Sequence, residues 1–549
     1  MIAGGLVLPA FHGWLRSALV LLLPVLAGVA VWNVPDGVVL QTLFLGFELV
    51  LIEGSPLARL FGTVFVLAAF AGGLFALKQE RVGELAAAYC YAGGALGVAF
   101  SGDLLTLFFF WELMAVGSTI VVWCGGAASR GAGLRYAAIH LLGGAVLMTG
   151  IAGEVMATGS ILFDTMALDS LSRWLILCGF LINAGAPPLS AWLPDAYPKS
   201  SWSGMVFLSA FTTKTAVLVL MRGFAGADVL IYFGLFMVFY GIVYAILEND
   251  MRRILAYSIV NQVGFMVTGI GIGTEMALNG AAAHAFTHIL YKALLLMSAG
   301  SVLYMTGKQK CTDLGGLFRT MPLTAFCGIV GALSISSFPV TSGFISKSMI
   351  SEAAAMEHLA IVWFLLAAAS AGVFLHAGIK FPWFVFFQKD SGLRPPDPPW
   401  NMRLAMLLLS AFCIGLGIAP EPLYALLPYE VDYVPYTGAH VVYQLQLLLF
   451  SGLAFFLLLP WLKRTLTITL DLDWSYRSGG RWLAIRSTRF VSGLVRGFST
   501  VFVNTSHAIL RKLHTYHGPS GLLARSWQTS NMAFWTSVVL AAYLLFLYL

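Results

Sequence analysis

Apolar stretches of about 20 residues recur along this chain from end to end, and no other feature limits its possible folds so severely. Each stretch is long enough to cross a hydrocarbon core of roughly 30 Å. Lipid offers the backbone no hydrogen-bond partner, so each stretch must satisfy its own peptide groups as a helix. Barrel strands of about 10 alternating residues would leave a different pattern. Composition agrees: of 549 residues, 59% are hydrophobic and 10% charged, against about 25% charged in soluble domains. Mean hydropathy is +0.86. The expected class is all-α, a polytopic transmembrane helical bundle.

Spans are read at 14–33, 57–77, 83–101, 103–123, 134–157, 171–189, 203–222, 228–247, 253–272, 277–304, 322–349, 357–379, 401–419, 441–462 and 531–549, about fifteen crossings in all. Loop charges alternate between them. Lys78/Arg81, Arg130/Arg135, Lys199, Arg252/Arg253, Lys308/Lys310/Arg319 and Lys389/Arg394/Arg403 fall on one side. The loops near 158–170, 350–356 and 420–440 carry acids without Lys or Arg. The positive-inside rule makes the first set cytoplasmic, and with it the N-terminus. The first apolar run extends through Val34 without a cleavage site, unlike a removed signal peptide.

The net charge of +6 reflects these basic loops, and no nucleic-acid partner is expected. Six cysteines are scattered without CxxC or metal spacing, and no Walker loop, dinucleotide fingerprint or haem motif occurs. No cofactor is expected. The chain divides into N-terminal helices (1–82), a core (83–420), an additional crossing (421–462), a basic segment (463–530) and a last crossing (531–549). Within the basic segment Trp482, Ile485, Leu494, Phe498, Val501, Phe502, Ile509 and Leu513 recur at roughly helical spacing. That predicts an amphipathic helix along a membrane or partner surface, interrupted at Gly518-Pro519. A solvated basic linker is the alternative.

An ionised side chain at mid-bilayer costs at least about 2.5 kcal/mol on insertion scales, so several of them need a reason. Glu112 lies deep in 104–123, and Lys214 in the middle of 207–221. His284, His288 and Lys292 follow at i, i+4, i+8 and share one helix face. Histidine exchanges protons near neutral pH, and burial makes a lysine's charge costly, so the ladder reads as a proton relay. Satisfied interhelical hydrogen bonds and a structural Glu112–Lys214 pair are the plainer alternatives. A metal on His284 and His288 lacks a third ligand in sequence. Two spans look broken: 322–349, at Ser334–Pro339 and Thr341-Ser342-Gly343 ahead of Lys347, and 183–195, around Asn183, Pro187, Pro188 and Pro194. Discontinuous helices free carbonyls along ion paths, although a proline kink would also suit either place.

The ordered series WLPDAYP (192–198), TTK (212–214), AYSIVNQVG (256–264), HAFTHILYKALLLMSAG (284–300), DLGGL (313–317) and SGFISK (342–347) resembles the antiporter-like subunit family. That family includes the proton-translocating subunits of respiratory complex I and the A and D subunits of Mrp-type cation/proton antiporters, and the likeness is greatest to the Mrp D-type protein. The match runs from about residue 83 to 420. It implies a transporter subunit rather than an enzyme by itself, one that moves protons against a monovalent cation, sodium above all. It would do so among other integral membrane subunits in the bilayer of a bacterial-type inner membrane. The alternatives are a proton-pumping subunit of a redox-driven complex and a degenerate structural subunit.

By the resemblance Glu112 matches the glutamate of the family's Glu–Lys pair, and Lys214 the next lysine along the path. His284, His288 and Lys292 match its His/Lys helix, and Lys347 its terminal station. The position of the paired lysine is Asn183 here, so Glu112 would pair with Lys214, with an arginine, or with nothing. The Glu112 helix is the fourth crossing where the family has its fifth. The C-terminal segments resemble the lateral-helix extension of the largest complex I antiporter-like subunit.

Overall fold

The computed structural model of the chain describes residues 1–460 and 471–549. The end of the 441–462 span and the start of the basic segment, with Lys463 and Arg464, lie outside the described residues. Thirteen described helices are long and apolar enough to cross a membrane, and Leu171–Ala184 and Pro322–Ile335 are shorter apolar helices. Together they account for every span read from the sequence. The chain forms two compact units, Met1–Asp473 and Trp474–Leu549.

In the first unit the central helices are the most deeply buried. Met251–Ile272 and Glu275–Thr306 lie side by side, and Thr212–Gly223 and Phe344–Met356 each pack on both. Large apolar residues on peripheral helices such as Gly13–Asn33 stay exposed, as expected of a surface that lipid covers. In the second unit Asp473–His517 is one long helix with exposed apolar and basic side chains. It ends immediately before Gly518-Pro519, where proline removes a donor. Thr529–Tyr548 follows.

The class is helical, as expected, with one exception. Gly37–Phe44 pairs antiparallel with Phe47–Gly54 in a hairpin. Its turn residues Leu45 and Gly46 both have positive φ (51° and 85°), as a tight hairpin turn requires. The Val50 amide donates to Asp103 Oδ2 at 2.8 Å. Asp103 also caps the helix Leu104–Trp123 through the Leu105 and Thr106 amides, so the hairpin is tied to the start of the Glu112 helix.

Both expected breaks are present. Leu171–Ala184 ends at Gly185 in the left-handed region, and the next helix begins only at Trp192. Pro322–Ile335 is separated from Phe344–Met356 by a loop in which Ser337 and Val340 also have positive φ. The span read as continuous over 203–222 is interrupted as well, between Gly204–Ala210 and Thr212–Gly223 at Phe211. Neither proline nor glycine marks that break.

Candidate functional site

The motifs fall on elements that converge inside the first unit. In the helix Met251–Ile272 the adjacent amides Asn261 and Gln262 work in opposite directions. Asn261 Nδ2 donates to the Val238 carbonyl of the neighbouring helix at 2.9 Å. Gln262 Nε2 donates to Asn261 Oδ1. That fixes Gln262 Oε1 toward His284 Nε2, 3.0 Å away, and toward the Tyr291 hydroxyl at 3.2 Å. The other ring nitrogen of His284 lies 3.2 Å from Ser346 Oγ, on the far side of the broken span. His284 therefore links three helices.

His288 stands one turn further along, its ring centroid 6.2 Å from that of His284. Neither of its nitrogens has a protein hydrogen-bond partner, and the same holds for Lys292 Nζ and Lys347 Nζ. All are buried. Lys347 Nζ lies over the Phe265 ring, 5.1 Å from its centroid, which offers a cation a partial partner. The Lys347 helix exists in this place because Gly343 precedes it: a Cβ there would lie 1.8 Å from the Ser334 carbonyl oxygen. On its other side Lys347 lines a cavity of about 380 Å³ that includes Ser337, Ser351, Glu352, Tyr433 and His440.

Lys214 is fully buried, and its Nζ donates to the Ser209 carbonyl at 2.7 Å and to Thr213 Oγ1 at 3.2 Å. Ser209 belongs to the helical segment before the Phe211 interruption, so the ammonium sits against the chain's own broken backbone.

Glu112 stands apart from this group. Among the described residues it forms no ion pair, and its Oε1 has no hydrogen-bond partner. Of the pairings open in the sequence, with Lys214, with an arginine or with nothing, the structure has the last. Asn183 is buried and bonded to His140 instead, Nδ1 to Oδ1 at 2.8 Å. The sequence reading did not single out His140, and it also passed over His376 and Lys380. His376 is buried, with Nδ1 donating to the Gly372 carbonyl at 2.9 Å. Lys380 donates to the Ala245, Ile246 and Glu248 carbonyls at the end of a neighbouring helix. A histidine or lysine inside an apolar run was the available signal in each case. No cluster of three metal-ligating side chains occurs among the described residues.

Other motif residues hold the frame. Asp195 of WLPDAYP takes a two-pronged ion pair from Arg135, at 2.7 and 2.8 Å. Trp192 Nε1 donates to the Ile182 carbonyl at 2.9 Å, closing the break after Ala184.

An apolar helical bundle with buried bases on three packed helices defines a polytopic membrane protein of the transporter type. The chain belongs to the family of membrane subunits shared by NADH:quinone oxidoreductases and Mrp antiporters, whose transmembrane model matches residues 101–374. It is 29% identical over 424 residues to the D subunit of the Na(+)/H(+) antiporter of Alkalihalophilus pseudofirmus, covering 72% of this chain and 83% of that one. It is 30% identical to the N subunit of the NADH-quinone oxidoreductase of Desulforudis audaxviator, covering 68% and 81%. Its fold matches a chain of the Mrp complex from Dietzia sp. with TM-score 0.78 and 22% identity, over 93% of this chain and 62% of that one. A chain of the archaeal membrane-bound sulfane sulfur reductase matches with TM-score 0.71 and 23% identity, over 99% and 98%.

Proposed function

We propose that this chain is the proton-translocating subunit of a multisubunit cation/proton antiporter of the Mrp type, most similar in role to the D-type protein of such systems. The observation that carries this reading is the set of buried bases Lys214, His284, His288, Lys292 and Lys347, the last of which lines a polar cavity. With Glu112 these are the stations of the path, and 83–420 is the translocating core. Protonating one buried site raises the electrostatic cost of protonating the next, so a charge entering the row drives the following one onward. The relative's designation as part of a Na(+)/H(+) antiporter supports sodium as the counter-ion. Other integral membrane subunits complete the complex.

The membrane is a bacterial-type inner membrane, with the N-terminus on its cytoplasmic side. The Lys and Arg distribution of the loops supports that orientation. Arg59, Arg173 and Arg222, at the end assigned to the outside, are bonded to Asp36, Glu154 and Glu53 at 2.7, 2.9 and 2.7 Å. Lys78, Lys199, Lys308 and Lys310, at the other end, are exposed.

The test is dye-reported proton flux in inside-out vesicles carrying the whole complex. Glu112→Ala and Lys214→Ala should each abolish it, and retained flux in both would refute the assignment. A second reading, the membrane arm of a redox-driven complex, is favoured by the NADH-quinone oxidoreductase relative and by the near-complete fold match to the reductase chain. Purified with its native partners, the chain should bring small antiporter subunits; iron–sulfur subunits would select the second reading.

A further inference from the structure

We infer that His140 is a further proton-carrying residue, standing between Glu112 and Lys214. This rests on the proton-path reading above. The helix Arg130–Thr158 carries His140, Gly143 and Gly144 on one face, one turn apart. A Cβ on Gly144 would lie 2.0 Å from Glu112 Oε1, and one on Gly143 would lie 3.7 Å from Asn183 Oδ1. Gly144 thus makes room for the carboxylate one turn from the histidine.

The ring is buried and held from three sides. Tyr136 and Trp192 pack on it with centroids 4.1 and 4.7 Å away. Asn183 Oδ1 accepts from Nδ1–H, which leaves the lone pair on Nε2. Nε2 is buried and has no protein partner, and Oε1 of the neighbouring Glu112 has none either. A merely structural histidine would be expected to use both nitrogens.

From Tyr136 a group of buried hydroxyls leads to the Lys214 helix. Tyr136 donates to Ser118 Oγ at 2.9 Å. The Tyr197 ring lies 6.3 Å from that of Tyr136, and its buried hydroxyl has no hydrogen-bond partner. Tyr91 shares a short hydrogen bond with Thr212 Oγ1, two residues before Lys214. The transfer balances. Protonated Glu112 gives its proton to Nε2, leaving a carboxylate and an imidazolium. The imidazolium gives up one proton on the side of these buried hydroxyls, the neutral Lys214 amine takes one up and becomes an ammonium, and the ring returns to neutral.

The experiment measures proton flux in inside-out vesicles containing the complete complex, with co-purification of partner subunits confirming equal assembly. His140→Gln keeps a hydrogen-bonding side chain but cannot titrate, and should lower flux about tenfold or more. Adding Asn183→Lys to His140→Gln puts a base beside the vacated place and should restore a substantial part of it. Unchanged flux in His140→Gln, with Glu112→Gln and Lys214→Ala both inactive, overturns the inference and leaves the proton path standing. Loss in His140→Gln that Asn183→Lys does not rescue points to a packing role and overturns it too. Full flux in Glu112→Gln and Lys214→Ala refutes the path itself and the inference with it.

Discussion

Gly144 and the Glu112 carboxylate occupy adjoining space so closely that a methyl group on the glycine would lie 2.0 Å from Oε1. The atom in the way is the end of a flexible side chain. Gly144→Ala should therefore fold and assemble normally while turning the carboxylate aside. Proton flux in vesicles should fall severalfold at unchanged complex yield, and wild-type flux would show that the carboxylate's position is unimportant.

Gly343 faces a different obstacle, because the Ser334 carbonyl that a Cβ would meet at 1.8 Å is backbone. Gly343→Ala must displace the broken span and should cost about 1–3 kcal/mol or more. Gly415, inside the helix Trp400–Ile418, has nothing within 4 Å of its would-be Cβ. Gly415→Ala should be neutral or stabilising by up to about 1 kcal/mol. Thermal unfolding of the solubilised complex would compare them, and equal midpoints would contradict the steric account.

Asp195 is buried and paired with a partly exposed arginine through two hydrogen bonds. Asp195→Asn keeps the shape and loses the charge. Stability should drop by about 1.5–3 kcal/mol, the range for a hydrogen bond to a charged group. An unchanged unfolding midpoint would mean that the pair does not brace the break near Trp192.

Ser351 lines the cavity beside Lys347, whereas Ser346, on the same helix, is fully buried against His284 and Thr287. In a background without reactive cysteines, Ser351→Cys should react with a membrane-impermeant thiol reagent much faster than Ser346→Cys. Mass spectrometry would follow the labelling, and equal rates would mean that the cavity does not admit water.

The spans were legible because each contains its own signal, a run of apolar residues long enough for lipid. The hairpin was not, since GVVLQTLF and FELVLIEG are as apolar as a short helix, and only Leu45-Gly46 marks the turn. The breaks at Gly185 and Gly343 were announced by glycine and proline. The one at Phe211 follows from tertiary packing and leaves no local trace. Within the site, the His284–Lys292 ladder was readable from spacing on a single helix. The bond between His140 and Asn183 joins residues 43 apart and becomes visible only when two helices are placed together.

The proposed path sets one carboxylate, Glu112, against five basic groups, and two of those, His284 and His288, have ring centres only 6.2 Å apart. Two positive charges at that spacing repel by about 3 kcal/mol at an effective dielectric constant of roughly 20. Full protonation is therefore disfavoured, and on the proposed path few stations would be charged at once. If these residues carry protons as proposed, the number moved per cycle would follow from how many charges they tolerate together, not from how many residues compose the path.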